Sequence, residues 1–492
     1  MEALVLSPVL GILSCLVLVP VARVFALRVG LVDQPDGRRK MHGRIVPVTG
    51  GLAVFASMWF VIGLGLLTPN AYQDALLEKS QILLGLFLGS SFLVMVGVAD
   101  DFGLIRGRHK MLGQIIASMI VIYFGGPVEE IHVFSAKIKL HFLAWPFTIG
   151  MLLGAINSIN LIDGMDGLLG SIGLWLSLGL AGMAALSGQW WGVIVTLALA
   201  GSLLGFLRYN LPPASIFMGD AGSMIVGLTL GTMAIQCSLK APATVALLLP
   251  IGLLTMPFFD TAAAIVRRKL TGRSIYTTDR GHMHHCMLRR GFSISIVLVI
   301  VSLCCLAAVA AVLFSQAFQN EWIIMLTIMS IIGLLVCTRI FGFAEAMLIK
   351  EQVMSFFRPA KHTQQMEVRL QGSGDWQRLW LALTDEATRL NLQQMLLDVN
   401  APALHEAYHA RWSRMIDAGE MPTLWRFEIP MASGGTSIGR LLIAGLPDET
   451  PAWSKIAELM HIVDNYTNGG SDVLPAPKRN YVEVDAPASV GA

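Results

Sequence analysis

Between Ile156 and Leu168 the chain reads INSINLIDGMDGL, which sets two amides, Asn157 and Asn160, and two carboxylates, Asp163 and Asp166, between long apolar runs. Carboxylates are costly beside lipid; even a lenient insertion scale charges about 2.5–3.5 kcal/mol for an aspartate at the centre of a spanning helix. The segment therefore belongs at a membrane surface or on the wall of a polar cavity, where a hard cation is the natural partner for its oxygens. Four other segments carry groups of related chemistry. VADDFGLIRGRHK (98–110) ends an apolar run with Asp100 and Asp101 and follows them with Arg106, Arg108 and Lys110. That joins candidate bases or metal ligands to candidate anion binders, although the same residues also read as a solvated helix end. IFMGDAGS (216–223) opens a helix with Asp220 among small residues. Backbone amides there suit phosphate and the carboxylate suits Mg²⁺, a plain N-cap being the alternative. Phe217 is placed to stack on a flat base. DQPDGRRKMHGRIVPVTGG (33–51) clusters Arg38, Arg39, Lys40 and Arg44 before Gly50 and Gly51. It reads either as an attractor for an anionic head group or nucleotide, or as ordinary cytoplasmic-side charge. DRGHMHH (279–285) sets His282, His284 and His285 beside Arg280, and the surrounding arginines suit an anion better than zinc.

The elements that must position these groups are membrane helices. Of the residues, 54% are hydrophobic and 14% charged, which excludes an ordinary soluble domain. Apolar runs long enough to span fall at roughly 3–22, 45–67, 81–99, 111–126, 142–159, 168–187, 190–207, 217–237, 243–266, 294–315 and 322–341. The expected fold is thus a polytopic all-α membrane protein of about eleven transmembrane helices. With the N-terminus outside, the inner loops up to residue 293 hold about 17 Lys and Arg and the outer loops about 4, so N-out and C-in is expected. Under that orientation all the polar clusters reach the cytoplasmic face, so helix counting alone assembles one site. The first arginines, Arg23 and Arg28, follow the first apolar run, as in an uncleaved first span. The six cysteines show neither metal spacing nor a disulfide framework.

Together these parts describe Mg²⁺-assisted phosphoryl transfer at the lipid–water boundary, with one substrate borne by lipid. Mg²⁺ keeps waters and substrate phosphates and needs only one or two protein ligands, which Asn160 and Asp220 could provide. Lys110, Arg280 and the histidines would hold the remaining negative charge.

The five motifs PDGRRKMHGRIVPVTGG, DDFGLIRGRHK, NSINLIDGMDGL, FMGDAGS and DRGHMHH occur in this order across about residues 5–340. In this they resemble the polyprenyl-phosphate N-acetylhexosamine-1-phosphate transferase superfamily (glycosyltransferase family 4). HMHH is similar to the His-Ile-His-His element of the branch that starts O-antigen, common-antigen and teichoic-acid synthesis, with Met283 for Ile. It is unlike the His-His-His-Phe-Glu form of the peptidoglycan branch. The resemblance implies an enzyme of the bacterial inner (cytoplasmic) membrane whose site faces the cytoplasm. It would move N-acetylhexosamine-1-phosphate, best GlcNAc-1-phosphate, from a UDP-sugar to undecaprenyl phosphate and release UMP. That is the first membrane step of a cell-surface polysaccharide, with Mg²⁺, or Mn²⁺ in its place, as cofactor. It further implies Asn160 and Asp220 as metal ligands, Lys110 and Arg280 as pyrophosphate binders and Phe217 as a uracil contact. Asp100 and Asp101 would be the base or the lipid-phosphate positioning pair. Asn157, His282, His284 and His285 would bind substrate, and Asp163 and Asp166 would complete the catalytic set in a supporting or sugar-binding role. No nucleic-acid partner is implied, and the oligomeric state stays open, a homodimer included.

After the membrane domain (1–345), residues 364–467 read as a small cytoplasmic α/β domain and residues 468–492 as a disordered tail rich in Gly, Pro, Ala and Ser. Strands are expected at Met366–Leu370 and Met395–Val399, helices near 375–391, 402–417 and 452–466, and a hairpin from Trp425–Pro430 and Ser437–Ala444. On the helix expected at 402–417, His405, Glu406 and His409 form an H-E-x-x-H pattern, so a membrane-tethered zinc protease is the rival reading. A regulatory or docking module is the third.

Overall fold

Lipid offers no partner to a backbone amide, so an apolar stretch must satisfy its own hydrogen bonds, and a helix lies in each of the eleven runs. The computed structural model describes residues 2–33, 45–69, 71–133, 136–239, 247–274, 281–357, 363–372, 375–401, 406–414, 424–433, 436–447 and 451–468. The tail expected to be disordered therefore lies, but for Asn468, outside the described residues. Two compact units divide the chain, Met1–Val266 with His282–Phe343, and Arg267–Gly281 with Ala344–Ala492.

The first unit is built on α1 (Glu2–Val29), α2 (Gly50–Leu67), α3 (Ala71–Glu78), α4 (Ser80–Asp101), α5 (Gly107–Gly125), α6 (Ala144–Ile162), α7 (Leu168–Leu186), α8 (Trp190–Asn210), α9 (Gly219–Ala234), α10 (Leu248–Leu253), α11 (Thr255–Leu270), α12 (Met283–Arg289), α13 (Ile294–Phe318) and α14 (Trp322–Cys337). Two short antiparallel pairs, β1 (Val32–Asp33) with β2 (Val46–Pro47) and β3 (Glu130–Val133) with β4 (Ala136–Lys139), interrupt them. Among the described residues seven helices are long and apolar enough to cross a membrane, namely α1, α2, α4, α6, α7, α8 and α13; α14 is a shorter apolar helix. The ninth apolar run is divided between α10 and α11 at Leu254.

The middle of the unit is α9, buried at every residue from Ala221 to Ala234 and packed by α2, α4 and α6. Its small residues let neighbouring backbones approach, as packing in lipid requires. At the crossing with α4, a Cβ added to Gly97 would overlap the backbone of Ala221. Hydroxyls join α1, α2 and α8: Ser57 Oγ lies 2.7 Å from Ser14 Oγ and 2.8 Å from Ser202 Oγ.

The second unit holds α15 (Phe343–Phe357, from Ala344 on), β5 (Thr363–Gln371), α16 (Trp376–Arg389), β6 (Leu392–Ala401), β7 (Glu406–Arg414), β8 (Trp425–Ser433), β9 (Thr436–Gly445) and α17 (Ala452–Asn468). Five antiparallel strands in the order β5-β7-β6-β9-β8 form one sheet, and α16 and α17 cover the face that presents Met395, Leu397, Tyr408 and Trp412. Where a helix is expected near 402–417, residues 406–414 instead form β7, an interior strand between β5 and β6. Burial of most of the stretch, with Tyr408, Ala410 and Trp412 in the core and strands paired on both sides, outweighs the helical preference of its Glu, Ala and Arg residues. This corrects the zinc-protease reading, because the pattern needs a helix to bring its two histidines together, whereas four residues along a strand span about 13 Å. Glu406 accepts a hydrogen bond from Trp376 Nε1 (2.9 Å) and His409 Nδ1 lies 3.2 Å from Asp398 Oδ1, while His405 is outside the described residues.

The α4–α9 contact yields a test. Gly97→Ala gains about 1 kcal/mol of helix propensity, against overpacking that costs about 1–3 kcal/mol where backbone must move. The thermal midpoint of the detergent-purified variant should fall by a few degrees. Gly63→Ala, where nothing lies within 4 Å of the new Cβ, gains the same propensity without the overlap and should hold or raise the midpoint.

Candidate active site

Three helix ends converge at the carboxylates. After α4, the Gly103 N–H donates to Asp100 O (2.7 Å) and the chain turns back into α5, whose first turn carries Lys110. Lys110 Nζ sits 2.8 Å from Asp100 Oδ2 and 2.8 Å from Asp220 Oδ1, so one ammonium bridges α4 and α9. Asp101 closes the start of α9 from outside, its Oδ1 accepting the Asp220 N–H (2.9 Å) and its Oδ2 the Ala221 N–H (3.4 Å). A helix N-terminus leaves such amides without partners and favours negative charge. Gly219, at φ +76°, makes the turn, and any Cβ there would overlap the Val48 carbonyl.

The amides of α6 reach the same group. Asn160 Nδ2 donates to Asp220 Oδ1 (2.6 Å) and Ser223 Oγ (2.7 Å). One turn earlier, Asn157 Nδ2 donates to Gln114 Oε1 on α5 (2.8 Å). Asp163 follows the last residue of α6. Burial first, then the nearby Asp220 and Asp101, pushes its carboxyl up to about 8, with Lys110 opposing. Asp166 is used differently: its Oδ2 accepts the Ala214 N–H (2.9 Å) and so ties down the loop that carries Asp163. Asn210 supports that loop as well, accepting from Gly167 N–H (3.0 Å) and donating to Ile216 O (2.9 Å). Phe217 is fixed by its backbone, which donates to Pro47 O (2.8 Å) and accepts from Gly50 N–H (2.9 Å).

The histidines approach from α12. His284 is buried against the turn after α6, and a Cβ on Gly164 would come 2.6 Å from its Nε2. That nitrogen has no hydrogen-bond partner among the described residues. Burial first, then His285, holds the His284 ring down at about 3, so it is a neutral imidazole at physiological pH. His285 lies beside it, ring centroids 4.2 Å apart. His282 is oriented by a residue that sequence reasoning passed over, Asp260 on α11. Asp260 Oδ2 lies 3.0 Å from His282 Nδ1, and its Oδ1 accepts the Met283 N–H (2.8 Å). The available signal was a single aspartate inside the apolar run TMPFFDTAAAIV, a placement that by itself marks a functional candidate. Gln114 and Ser223 were also missed, being ordinary polar residues in spans.

The structure therefore brings Asp100, Asp101, Lys110, Asn157, Asn160, Asp163 and Asp220 into one linked group, with His284 against the Asp163–Gly164 turn. Arg280 and the basic residues Arg38, Arg39, Lys40 and Arg44 lie outside the described residues. Among the described residues no three His, Cys, Asp or Glu side chains form a metal cage. The donor set nevertheless fits Mg²⁺, which takes one or two protein oxygens and leaves the rest to water and phosphate. Asp100 and Asp220 share the single ammonium of Lys110, and the negative charge left over suits a dication.

The model of glycosyl transferase family 4 matches residues 83–238, the stretch from α4 through α9. The chain is 31% identical over 324 residues to a protein of Bacillus subtilis (strain 168) named as a probable undecaprenyl-phosphate N-acetylglucosaminyl 1-phosphate transferase, covering 64% of this chain and 86% of that protein. It is 26% identical over 320 residues to the undecaprenyl-phosphate alpha-N-acetylglucosaminyl 1-phosphate transferase of Escherichia coli (strain K12), covering 62% of this chain and 82% of the relative. A decaprenyl-phosphate N-acetylglucosaminephosphotransferase of Mycolicibacterium smegmatis is 29% identical over 294 residues, with 55% of this chain and 72% of that one covered.

Burial of His284 makes stability depend on pH. Between about 3 and the unperturbed 6.5, the unfolded chain takes up a proton that the folded chain refuses, so stability is full above 6.5 and falls as pH drops. At pH 5 the loss from this group is about 2 kcal/mol. The thermal midpoint of the purified chain should accordingly fall more between pH 7.5 and pH 5 than that of His284→Gln; equal falls would exclude the buried imidazole as the cause.

Proposed function

The chain belongs to the polyprenyl-phosphate N-acetylhexosamine-1-phosphate transferase family, and from that premise we propose that it moves GlcNAc-1-phosphate from UDP-GlcNAc to undecaprenyl phosphate and releases UMP. The observation that carries this reading is the convergence of Asp100, Asn160 and Asp220 on Lys110 and on one another, next to the His284 turn. In this reading the site opens to the cytoplasm at the inner leaflet, where a nucleotide sugar and a lipid phosphate can meet.

The lipid phosphate oxygen attacks the phosphorus bonded to the sugar. A new P–O bond forms as the bond from that phosphorus to the bridging oxygen breaks, and UMP leaves with the electron pair. A phosphate monoester has a second pKa of about 6, so the nucleophile is already ionised and needs little base assistance. Asp220 and Asn160 would hold Mg²⁺, which when bound neutralises diphosphate charge. Lys110, bonded to Asp100 and Asp220, is placed to hand its charge to incoming phosphate. Neutral His284 offers a hydrogen bond without charge, and Asp260 fixes His282 in one tautomer. Asp101 is already occupied as the cap of α9, which leaves Asp100 as the acid more available to position the lipid phosphate. Arg280 and Phe217 would take the pyrophosphate and the uracil. The product is the first lipid intermediate of a surface polysaccharide.

Purified chain with undecaprenyl phosphate, Mg²⁺ and a panel of labelled UDP-sugars should place label from UDP-GlcNAc in the lipid fraction, with stoichiometric UMP and none after chelation. No transfer from any donor would overturn the reading. Asp220→Asn should lower turnover roughly 10²–10³-fold. Because one phosphoanhydride replaces another, UMP added to the lipid product should regenerate UDP-sugar. Direct attack also requires Asp100→Asn to keep measurable turnover, whereas an obligatory aspartyl-phosphate route through that residue would abolish it.

A further inference from the structure

The segment that leads from α11 to the histidine motif is held by the sheet domain's own unit. Its described part, Arg267–Ser274 and Gly281, belongs with Ala344–Ala492. An arginine in a surface loop ordinarily extends into water. Here the Arg273 side chain is 6% exposed and that of Asp398, on β6, is 3% exposed. Arg273 Nε donates to both carboxylate oxygens of Asp398 (3.1 Å each), and its Nη2 donates to Asp398 Oδ1 (2.8 Å) and Val399 O (2.8 Å). Such a planar fork fixes direction as well as distance. The neighbouring strands complete the grip. His409, opposite Asp398 on β7, places Nδ1 3.2 Å from Asp398 Oδ1. Arg440, opposite it on β9, donates from Nη2 to Gly272 O (2.8 Å). Burial raises the Asp398 carboxyl, but bonds from His409 and Arg273 outweigh it and hold the group below the usual carboxylate range.

The start of the segment is anchored in the same unit. Arg267 is buried and ion-paired with buried Glu345 of α15. Its guanidinium lies against Gly281, where an added Cβ would overlap it. The next residue in the chain is His282. The segment is thus fixed at its start and at Arg273 by buried arginine–carboxylate pairs, and Gly281 lies against the first of them, although the sequence is polar enough to be a free loop.

We propose that Arg273–Asp398 and Arg267–Glu345 are positioning pairs through which the sheet domain sets where the chain enters the histidine motif, and hence how well that motif binds the donor diphosphate. This rests on the transferase reading above. It makes the C-terminal domain part of donor recognition, without a residue of its own on the substrate.

The test uses the whole chain in detergent or nanodiscs and compares Arg273→Met, Asp398→Asn, their double variant, Arg273→Lys and Arg440→Met. The two single variants should raise the KM for UDP-GlcNAc about tenfold while the KM for undecaprenyl phosphate stays within about twofold. The double variant should be no worse than either single, since both remove one interaction. Arg273→Lys should restore part of the loss. Arg440→Met, which removes the bond to Gly272 O together with the ion pair to Glu428 and the longer one to Asp398 (3.6 Å) but leaves Arg273 to neutralise Asp398, should produce a smaller rise of the same kind and covers the case in which the buried variants do not fold. Folded variants with unchanged donor KM, or with both KM values raised alike, would overturn the proposal. Absence of transfer by the unmodified chain would instead sink the transferase reading, so the two failures are distinguishable.

Discussion

The structure depends on keeping several carboxylates close together at the end of a membrane helix bundle. Asp100 and Asp220 are held by Lys110, Asp101 by the first amides of α9, and Asp220 also by the amide of Asn160. Each partner comes from a different helix, so the charge pattern exists only while α4, α5, α6 and α9 pack closely. This is why small residues gather on α9 and at Gly97. A Cβ at Gly97 would overlap the Ala221 backbone, so a side chain there pushes α4 and α9 apart. Packing and electrostatics are therefore a single constraint, and a fault in the first is felt in the second.

The histidine side balances that acid cluster without adding charge at its nearest point. His284, against the turn that carries Asp163, is neutral because burial outweighs the raising effect of Asp260. A protonated ring there would neutralise the carboxylates before any substrate arrived. His282 is oriented from behind by Asp260. The site can thus keep its surplus negative charge for a dication and still offer imidazole hydrogen bonds to a diphosphate.

Much of this was legible in the sequence because an apolar chain has few reasons to carry polar residues. The five motifs stand out against apolar runs, and their described residues come into contact in the structure. What escaped was solitary or distant. Asp260 is one carboxylate in a run otherwise read as a span. Gln114 and Ser223 look like any polar residue in a helix. Asp166 shares its motif with Asp163, and only its bond to Ala214 N–H separates a loop tie from a site acid. In the sheet domain the helix expected at 402–417 failed because Glu, Ala and Arg carry helical preference, whereas pairing with β5 on one side and β6 on the other, with Tyr408 and Trp412 in the core, decides the matter.

The Arg273–Asp398 pair could not be read from sequence at all, since its partners are 125 residues apart and each is unremarkable alone. Its energetics nevertheless constrain its role. Burying an arginine and an aspartate strips both of water, and such a pair is commonly no more stabilising than apolar residues of the same volume. What it provides over an apolar contact is direction, because a forked donor accepts a carboxylate in only a few orientations. A loop that needed anchoring alone could have used leucines. A loop ending one bond before His282, whose ring must present a particular nitrogen, gains from a fixed orientation. That is the sense in which a soluble domain can serve chemistry carried out by residues it does not contain.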